Sequence, residues 1–409
     1  MKKRLLILLC ILAFNIAMFA QIPWVQKASM NDPGRYVASC FSINGKGYVG
    51  LGQNVSGTKL YDFWEYDPTT NTWTSKGNYQ GAGSYAATAF TINGKGYICL
   101  GADNSFVCHN DLWEYTPSTN SWLQKSSFPG TARYGASCFV LGDTAFIGTG
   151  SPGGPSYLTD MWMYVTSTDT WTQLQDFPGG ARNHGTAFSF MNNGYLGTGL
   201  NDSGSATNDI WKYNRATNTW TNITNLPGPA RMGVLSAVYQ NRIYFGTGND
   251  LSNRYNDFYE YFPATNTWSA SISSVSAFTV RYAGICFSAN NLIYVGTGSS
   301  ISSTAGYLPD LWSFDPTYHD GINDLNISIK FDLNVYPNPT NDQITINFPD
   351  YTAKSNSQYS IYSIDGKLLT GQPITAISTD VSILDYPAGV YFIKVTNNTS
   401  VVVEKIVKE

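Results

Sequence analysis

Arginine recurs at one position of a repeated pattern in this chain of 409 residues. Its planar guanidinium group can hold a carboxylate or sulfate through two hydrogen bonds, so a ring of arginines could bind an anionic ligand. An aspartate recurs in the same copies and could instead pair with the arginine, tying two strands together. We favour this structural interpretation and keep the first one open. The residues concerned are Arg35, Arg133, Arg182, Arg231 and Arg281, with Asp62, Asp111, Asp160, Asp209, Asp257 and Asp310.

Departures from the pattern are better candidates for a binding site, because the scaffold does not require them. Ser84 stands where a sixth arginine is expected. Asn183 and Met232 replace a tyrosine that the other four copies carry, and His184 is the only histidine of the predicted inner strands. A single histidine is more often a packing residue than a catalyst. The predicted binding residues are Ser84, Asn183, His184 and the five arginines.

Metal and acid–base chemistry find little support in the sequence. The three histidines, His109, His184 and His319, show no metal-ligand spacing with cysteine or aspartate, so we predict no metal and no cofactor. The predicted inner strands contain no aspartate or glutamate that could form an acid–base pair. The expectation therefore leans away from an enzyme, although His184 with Arg182 leaves a minimal acid–base site open.

The spacing of the tryptophans shows the length of the repeat whose strands must position these residues. A period near 50 residues is typical of a repeat architecture. All eleven tryptophans fall in two series at this period, with Tyr259 in the one vacant slot of the second series. The series are Trp24, Trp73, Trp122, Trp171, Trp220 and Trp268, and Trp64, Trp113, Trp162, Trp211 and Trp312. Their regularity indicates packing roles rather than a sugar-binding platform.

Each copy of the repeat predicts four antiparallel strands. In the first copy, residues 36–43 form a small and apolar run, Asn44-Gly45 is a hairpin turn, and residues 48–52 follow as a second strand. Residues 62–66 form a third strand, and Trp73 opens a fourth. Four strands per repeat make one blade of a β-propeller, so the predicted fold class is all-β.

The glycine-rich end of the second strand, the aromatic third strand and the tryptophan of the fourth resemble the kelch repeat. The resemblance covers residues 22–316, although kelch repeats usually carry adjacent glycines and this chain has Gly-x-Gly. It implies a six-bladed propeller over residues 21–317, closed by residues 22–28 pairing into the last blade. Kelch-like propellers include a galactose oxidase with copper and a sialic acid epimerase, so a sugar-active enzyme stays an alternative.

Strand direction assigns the loops to two faces of the predicted propeller. Links from the second to the third strand, and from the fourth to the next blade, lie on one face, which we call face X. The other turns lie on the opposite face, face Y, and are short and repetitive. Binding surfaces usually lie on variable loops held by a rigid scaffold. Face X is therefore the predicted ligand surface.

The C-terminal part has a different pattern. After a linker at residues 318–326, residues 327–409 show alternating strands typical of a small Ig-like β-sandwich. Several of its motifs resemble the C-terminal sorting domain of the type IX secretion system. The matching positions are Tyr336, Pro337, Asn338, Pro339, Gly366, Gly389, Tyr391 and Lys405. The resemblance implies contact with that secretion machinery and a Bacteroidota-type envelope.

The N-terminus and the composition agree with export. Residues 1–20 have the basic start and apolar run of a signal peptide, and no later segment is apolar enough to span a membrane. The net charge of -4 gives no sign of the basic surface that binds nucleic acid. Of the five later cysteines at least one must be free, and Cys99 and Cys108 could pair.

These observations together predict a secreted or surface-displayed monomer. It would bind a glycan or an extracellular protein through face X. A structural role in an adhesion layer or matrix is a third possibility.

Overall fold

The computed structural model describes residues 24–31, 34–239, 242–263, 265–269, 272, 278–300, 306–316, 333–348, 357–363, 368–396 and 401–409. The predicted signal peptide, the linker, the strand expected at residues 327–331 and Gly366 lie outside these ranges. The chain divides into two compact units, residues 1–318 and 319–409.

All regular elements of the described first unit are β-strands. Those of the first two repeats are β1 (Val25–Lys27), β2 (Arg35–Tyr36), β3 (Ser39–Ile43), β4 (Lys46–Gly50), β5 (Gln53–Asn54), β6 (Asp62–Asp67), β7 (Thr72–Asn78), β8 (Thr88–Ile92), β9 (Lys95–Cys99), β10 (Leu112–Thr116) and β11 (Ser121–Lys125). Those of the next two are β12 (Ser137–Leu141), β13 (Thr144–Gly148), β14 (Met161–Val165), β15 (Thr170–Gln173), β16 (Arg182–Asn183), β17 (Thr186–Phe190), β18 (Asn193–Asn201), β19 (Ala206–Asn214) and β20 (Thr219–Asn225). The last two contain β21 (Leu235–Tyr239), β22 (Arg242–Gly246), β23 (Phe258–Phe262), β24 (Thr267–Trp268), β25 (Ile285–Ala289), β26 (Leu292–Gly296) and β27 (Leu311–Phe314).

These strands form six antiparallel blades, one for each repeat. The sheet orders are β3-β4-β6-β7, β11-β10-β9-β8, β12-β13-β14-β15, β17-β18-β19-β20, β21-β22-β23-β24 and β1-β27-β26-β25. The innermost strands β3, β8, β12, β17, β21 and β25 are neighbours in that order, and β25 contacts β3 again. The unit is therefore a closed ring of blades with the inner strands around a central axis.

The last blade takes its outer strand from the N-terminus. Val25 pairs with Ser313 and Lys27 with Leu311, so β1 supplies the fourth strand beside β27. Trp24 is buried against the rings of Phe258, Phe278 and Phe314, with centroid separations of 4.9, 4.5 and 4.7 Å. This arrangement covers the edge of β27 and joins the first described strand to the last repeat.

The inner strand differs from the predicted run of residues 36–43. It is split into β2 and β3 because Val37 has a φ of 50° and cannot continue a strand. By contrast, the turn at Asn44 and Gly45 has positive φ at both residues, as the sequence predicts. The described cysteines are all free, so Cys99 and Cys108 do not pair. Burial raises the pKa of Cys40 to about 11.

The second unit consists of two antiparallel sheets on a common apolar core, which includes Ile344, Ile361 and Ile393. One sheet has the order β28-β29-β32 and the other β31-β30-β33-β34. Their strands are β28 (Asn334–Tyr336), β29 (Gln343–Asn347), β30 (Gln358–Ser363), β31 (Leu368–Pro373), β32 (Ser378–Ser382), β33 (Gly389–Thr396) and β34 (Val401–Lys408). The sequence pattern missed β28, β31 and β32, whose short or irregular alternation gives little signal.

Candidate functional site

The recurring arginines lie inside the blades, each pairing with the aspartate of its own repeat. Arg133 is fully buried, and its Nη1 and Nη2 donate to Asp160 Oδ1 and Oδ2 at 2.6 and 2.8 Å. Its Nη1 also donates to the carbonyl oxygen of Thr149 at 2.9 Å and its Nε to that of Thr131 at 2.8 Å. The other pairs are Arg35–Asp62, Arg182–Asp209, Arg231–Asp257 and Arg281–Asp310. This is the geometry of a structural pair, in which the guanidinium groups already have their carboxylate partners.

Two aromatic side chains extend four of these pairs, those of Arg133, Arg182, Arg231 and Arg281. The Arg133 guanidinium carbon lies 4.9 Å from the ring centroid of Phe128, and the indole Nε1 of Trp162 donates to Asp160 Oδ2 at 2.7 Å. Although burial alone would raise it, the pKa of Asp160 is lowered, because Arg133 and Trp162 both donate to the carboxylate. In the fifth blade the hydroxyl of Tyr259 donates to Asp257 at 3.2 Å, so the tyrosine makes the hydrogen bond that a tryptophan makes in the other blades.

The axis of the propeller is closed at face X by the backbone. One residue of each blade stands beside it with positive φ, and consecutive residues are joined by N–H to carbonyl hydrogen bonds. Five of these bonds lie between described residues: Val37 to Ala283, Gly135 to Ala86, His184 to Gly135, Gly233 to His184 and Ala283 to Gly233, at 2.8–3.1 Å. A ligand on face X would therefore lie over this ring rather than enter the axis from that side.

His184 belongs to this ring. Its φ is 50°, and its ring stands 6.2 Å from that of Tyr134. Burial lowers its pKa to about 4. The side chain is therefore neutral at physiological pH. The neighbouring Asn183 is buried, and its Oδ1 has no hydrogen-bond partner among the described residues.

Tyrosines form an arc around the closed axis on face X. The ring of Tyr36 lies 6.2 Å from that of Tyr282 and 5.9 Å from that of Tyr85, and Tyr85 lies 5.5 Å from Tyr134. The hydroxyls of Tyr36 and Tyr85 are 3.1 Å apart. All four rings are partly exposed. The arc covers four consecutive blades and is interrupted where the sequence has Asn183 and Met232, so the off-pattern positions mark its end.

Two cations contact rings of this arc, and the sequence pattern identified neither. Lys59 is buried, with its Nζ 3.5 Å from the ring centroid of Phe106 and 5.1 Å from that of Tyr85. Burial lowers its pKa. Arg254 lies 4.9 Å from the ring centroid of Tyr282, and its buried Nε has no partner in the described structure. Both belong to the variable loops between second and third strands, whose sequences differ so much between repeats that an unusual residue cannot be recognised.

A cavity of about 260 Å³ lies among the Y-side halves of the inner strands. Its lining combines phenylalanine rings with small polar groups, including Cys40, Ser42, Thr91 and Ser189. Among the described residues no group of three or more His, Cys, Asp or Glu side chains is placed to hold a metal ion.

The sorting motif of the second unit is bound to the last strand. The Asn338 side chain donates from Nδ2 to the Lys405 carbonyl at 2.7 Å and accepts from the Val407 amide at 2.9 Å. Lys408 is buried, and its Nζ donates to the carbonyls of Ile383 and Leu384 at 2.8 and 2.6 Å. The loop at residues 336–340 and the C-terminus are thus one folded feature.

With the ring of blades and the sorting motif described, the class of the protein is clear: a β-propeller followed by a small sandwich. The kelch-repeat domain described as KLHDC2/KLHL20/DRC7 matches residues 86–230 and 176–320, and the chain belongs to the kelch-repeat family. The secretion system C-terminal sorting domain matches residues 334–409.

A solved structure titled "Structure of YjhT" is similar to the chain in fold. The TM-score is 0.59 at 16% identity, covering 71% of this chain and 97% of that one. No curated protein matches the chain. The sorting domain marks proteins that are secreted through the type IX system and located at the cell surface or outside it in Bacteroidota. No helix among the described residues is long and apolar enough to cross a membrane.

Proposed function

We propose that this exported kelch propeller is a monomeric glycan-binding protein whose ligand lies across the tyrosine arc of face X. The single observation that carries the proposal is the arc itself. Partly exposed rings with hydroxyl groups offer both an apolar face, on which the C–H groups of a sugar ring can stack, and a hydrogen-bonding edge. A linear glycan that contacts several rings in succession fits such a surface.

The closed axis and the paired arginines support surface binding over chemistry in a channel. The backbone ring occupies the centre of face X, so the ligand would contact side chains around it. The arginines of the blades already pair with aspartates, which leaves the tyrosines, Phe106 and Arg254 as the groups that face a ligand, with Lys59 buried beneath Phe106. The neutral His184 has no carboxylate partner in the described structure with which to form an acid–base pair.

The loop residue Phe106 provides a direct test of this surface. Phe106 on face X and Met191 in a face Y turn are both 54% exposed, so they form a matched pair of apolar truncations. We would measure binding of the full mature protein to a panel of soluble polysaccharides by isothermal calorimetry. Phe106→Ala should weaken binding about tenfold or more, equivalent to roughly 1.4 kcal/mol.

Met191→Ala should leave the affinity unchanged. Equal losses from the two variants, or binding only to extracellular proteins and to no polysaccharide of a broad panel, would refute the proposal. Light scattering after size-exclusion chromatography tests the monomeric state.

A further inference from the structure

We propose that the second blade binds a monovalent metal cation, of the sodium or potassium type, through oxygen atoms of Asp111 and Tyr79, in the space that Ser84 leaves open. The site occupies the place where the other five blades hold an arginine. It is distinct from the tyrosine arc and does not depend on the proposed glycan ligand.

The second blade keeps the aspartate of the pattern but lacks its cation. Asp111 Oδ2 accepts hydrogen bonds from the Ala82 amide at 3.0 Å and from Trp113 Nε1 at 2.7 Å, as the equivalent aspartates do with their own tryptophans. Asp111 Oδ1, which in the other blades would face a guanidinium, is buried and has no hydrogen-bond partner in the described chain. A buried carboxylate oxygen without a partner is costly, because the charge has lost its water without compensation.

Two further orphaned oxygen atoms belong to the same region. Ser84 replaces the arginine, is completely buried, and its Oγ has no partner among the described residues. The hydroxyl of the buried Tyr79 is likewise unpartnered. Tyr79 stands where the other repeats have residues such as Phe128 and Phe177, so its hydroxyl is an addition at this blade only.

The local geometry brings the Tyr79 hydroxyl and the Asp111 carboxylate together. A Cβ atom on Gly81 would lie 2.2 Å from the Tyr79 hydroxyl and 2.6 Å from Asp111 Oδ2, so both oxygens lie against the same glycine. A Cβ atom on Gly83 would lie 2.5 Å from the carbonyl oxygen of Leu100. The equivalent carbonyls, of Leu51 and Thr149, accept hydrogen bonds from arginine in their blades. The acceptors that surround a guanidinium elsewhere are therefore retained here.

The donor set selects the class of cation. Carboxylate, hydroxyl and carbonyl oxygens suit hard cations, and Ca²⁺ usually takes six to eight oxygens, with several carboxylates among them. The site has one carboxylate, so a single positive charge balances it.

Thermal melting of the full mature protein tests the site. Wild type would be compared in sodium, potassium and tetramethylammonium chloride at equal ionic strength, because tetramethylammonium is too large to enter. We expect a melting temperature about 3 °C higher in sodium or potassium when the salt is about tenfold above the dissociation constant. Ser84→Arg places a guanidinium beside Asp111, as in the other blades. This variant should have a higher melting temperature than wild type, and that temperature should be the same in all three salts.

Crystals soaked in thallium(I), a heavy surrogate for potassium, locate the ion directly. An anomalous peak beside Asp111 is expected in wild type and should be absent in Ser84→Arg. Identical melting in the three salts would show that water alone satisfies these oxygens and would overturn the proposal. A salt dependence that persists in Ser84→Arg, or a thallium peak only elsewhere, would overturn it equally.

Discussion

Replacing Arg182 by alanine should unfold the propeller at a markedly lower temperature. The guanidinium is buried, and its Nη1 and Nη2 donate to Asp209 at 2.7 and 2.9 Å. Nη1 also donates to the Thr198 carbonyl at 2.9 Å, and the guanidinium carbon lies 4.8 Å from the ring centroid of Phe177. Removing one partner of a largely buried ion pair costs about 3–5 kcal/mol, because the Asp209 carboxylate, 20% exposed, is left without its cation.

That loss corresponds to a decrease in melting temperature of about 10 °C for a domain of this size. Arg215→Ala is the matched control. Arg215 is exposed and donates only to the Leu141 carbonyl and the Thr144 hydroxyl at 3.1 and 3.2 Å, so its removal should cost about 1 kcal/mol or less. Both variants would be compared by scanning calorimetry, following the propeller transition.

A double substitution separates pairing from general packing loss. Arg182→Met with Asp209→Leu removes both charges, so it should be less destabilised than Arg182→Ala alone. The reasoning would be refuted if Arg182→Ala melted within about 1 °C of wild type while losing its ligand. That outcome would return the arginines to the ligand-binding surface.

Three further predictions follow from the same contacts. Trp24→Ala should cost about 3–5 kcal/mol by emptying the aromatic core that seats the closing strand, and calorimetry would check it against Leu123→Ala, an exposed site. The pKa of Asp160 is lower in the folded protein than in the unfolded chain. The stability that its carboxylate contributes is therefore complete above the unfolded pKa of about 3.9 and is lost as the pH falls through the folded pKa. Melting curves recorded at acid pH should show a smaller dependence of stability on pH in Asp160→Asn than in wild type. Residues 325–409 fused to a periplasmic reporter should export it, and Asn338→Ala should reduce export, whereas retention of the unmodified fusion would contradict the assignment.

Repetition made the scaffold predictable from the sequence. The tryptophan period gave the strand order, and the co-occurrence of arginine and aspartate correctly indicated a pair between strands. The backbone ring at the axis could not be foreseen in the same way. At this position of the repeat, glycine signals a positive φ only at Gly135 and Gly233. Val37 and His184 also adopt a positive φ, in a ring of hydrogen bonds between neighbouring blades that no residue type predicts.

The candidate surface was predicted only in outline. Face X followed from strand direction, but the groups that give it chemical character lie in its variable loops. Lys59 and Phe106 come together from different blades, and no spacing in the sequence links them. Such contacts depend on how far each loop reaches over its neighbour, which a repeat pattern does not encode.

Two departures from the repeat show why not every irregular position points to function. Tyr259 replaces a tryptophan but still donates to Asp257, so the hydrogen bond survives the substitution. Ser84 replaces an arginine and restores neither its charge nor its hydrogen bonds to Asp111. A substitution that preserves the interaction needs no further explanation from function. One that leaves buried oxygen atoms without a partner among the described residues points to a partner from outside the chain, and this difference singles out the second blade.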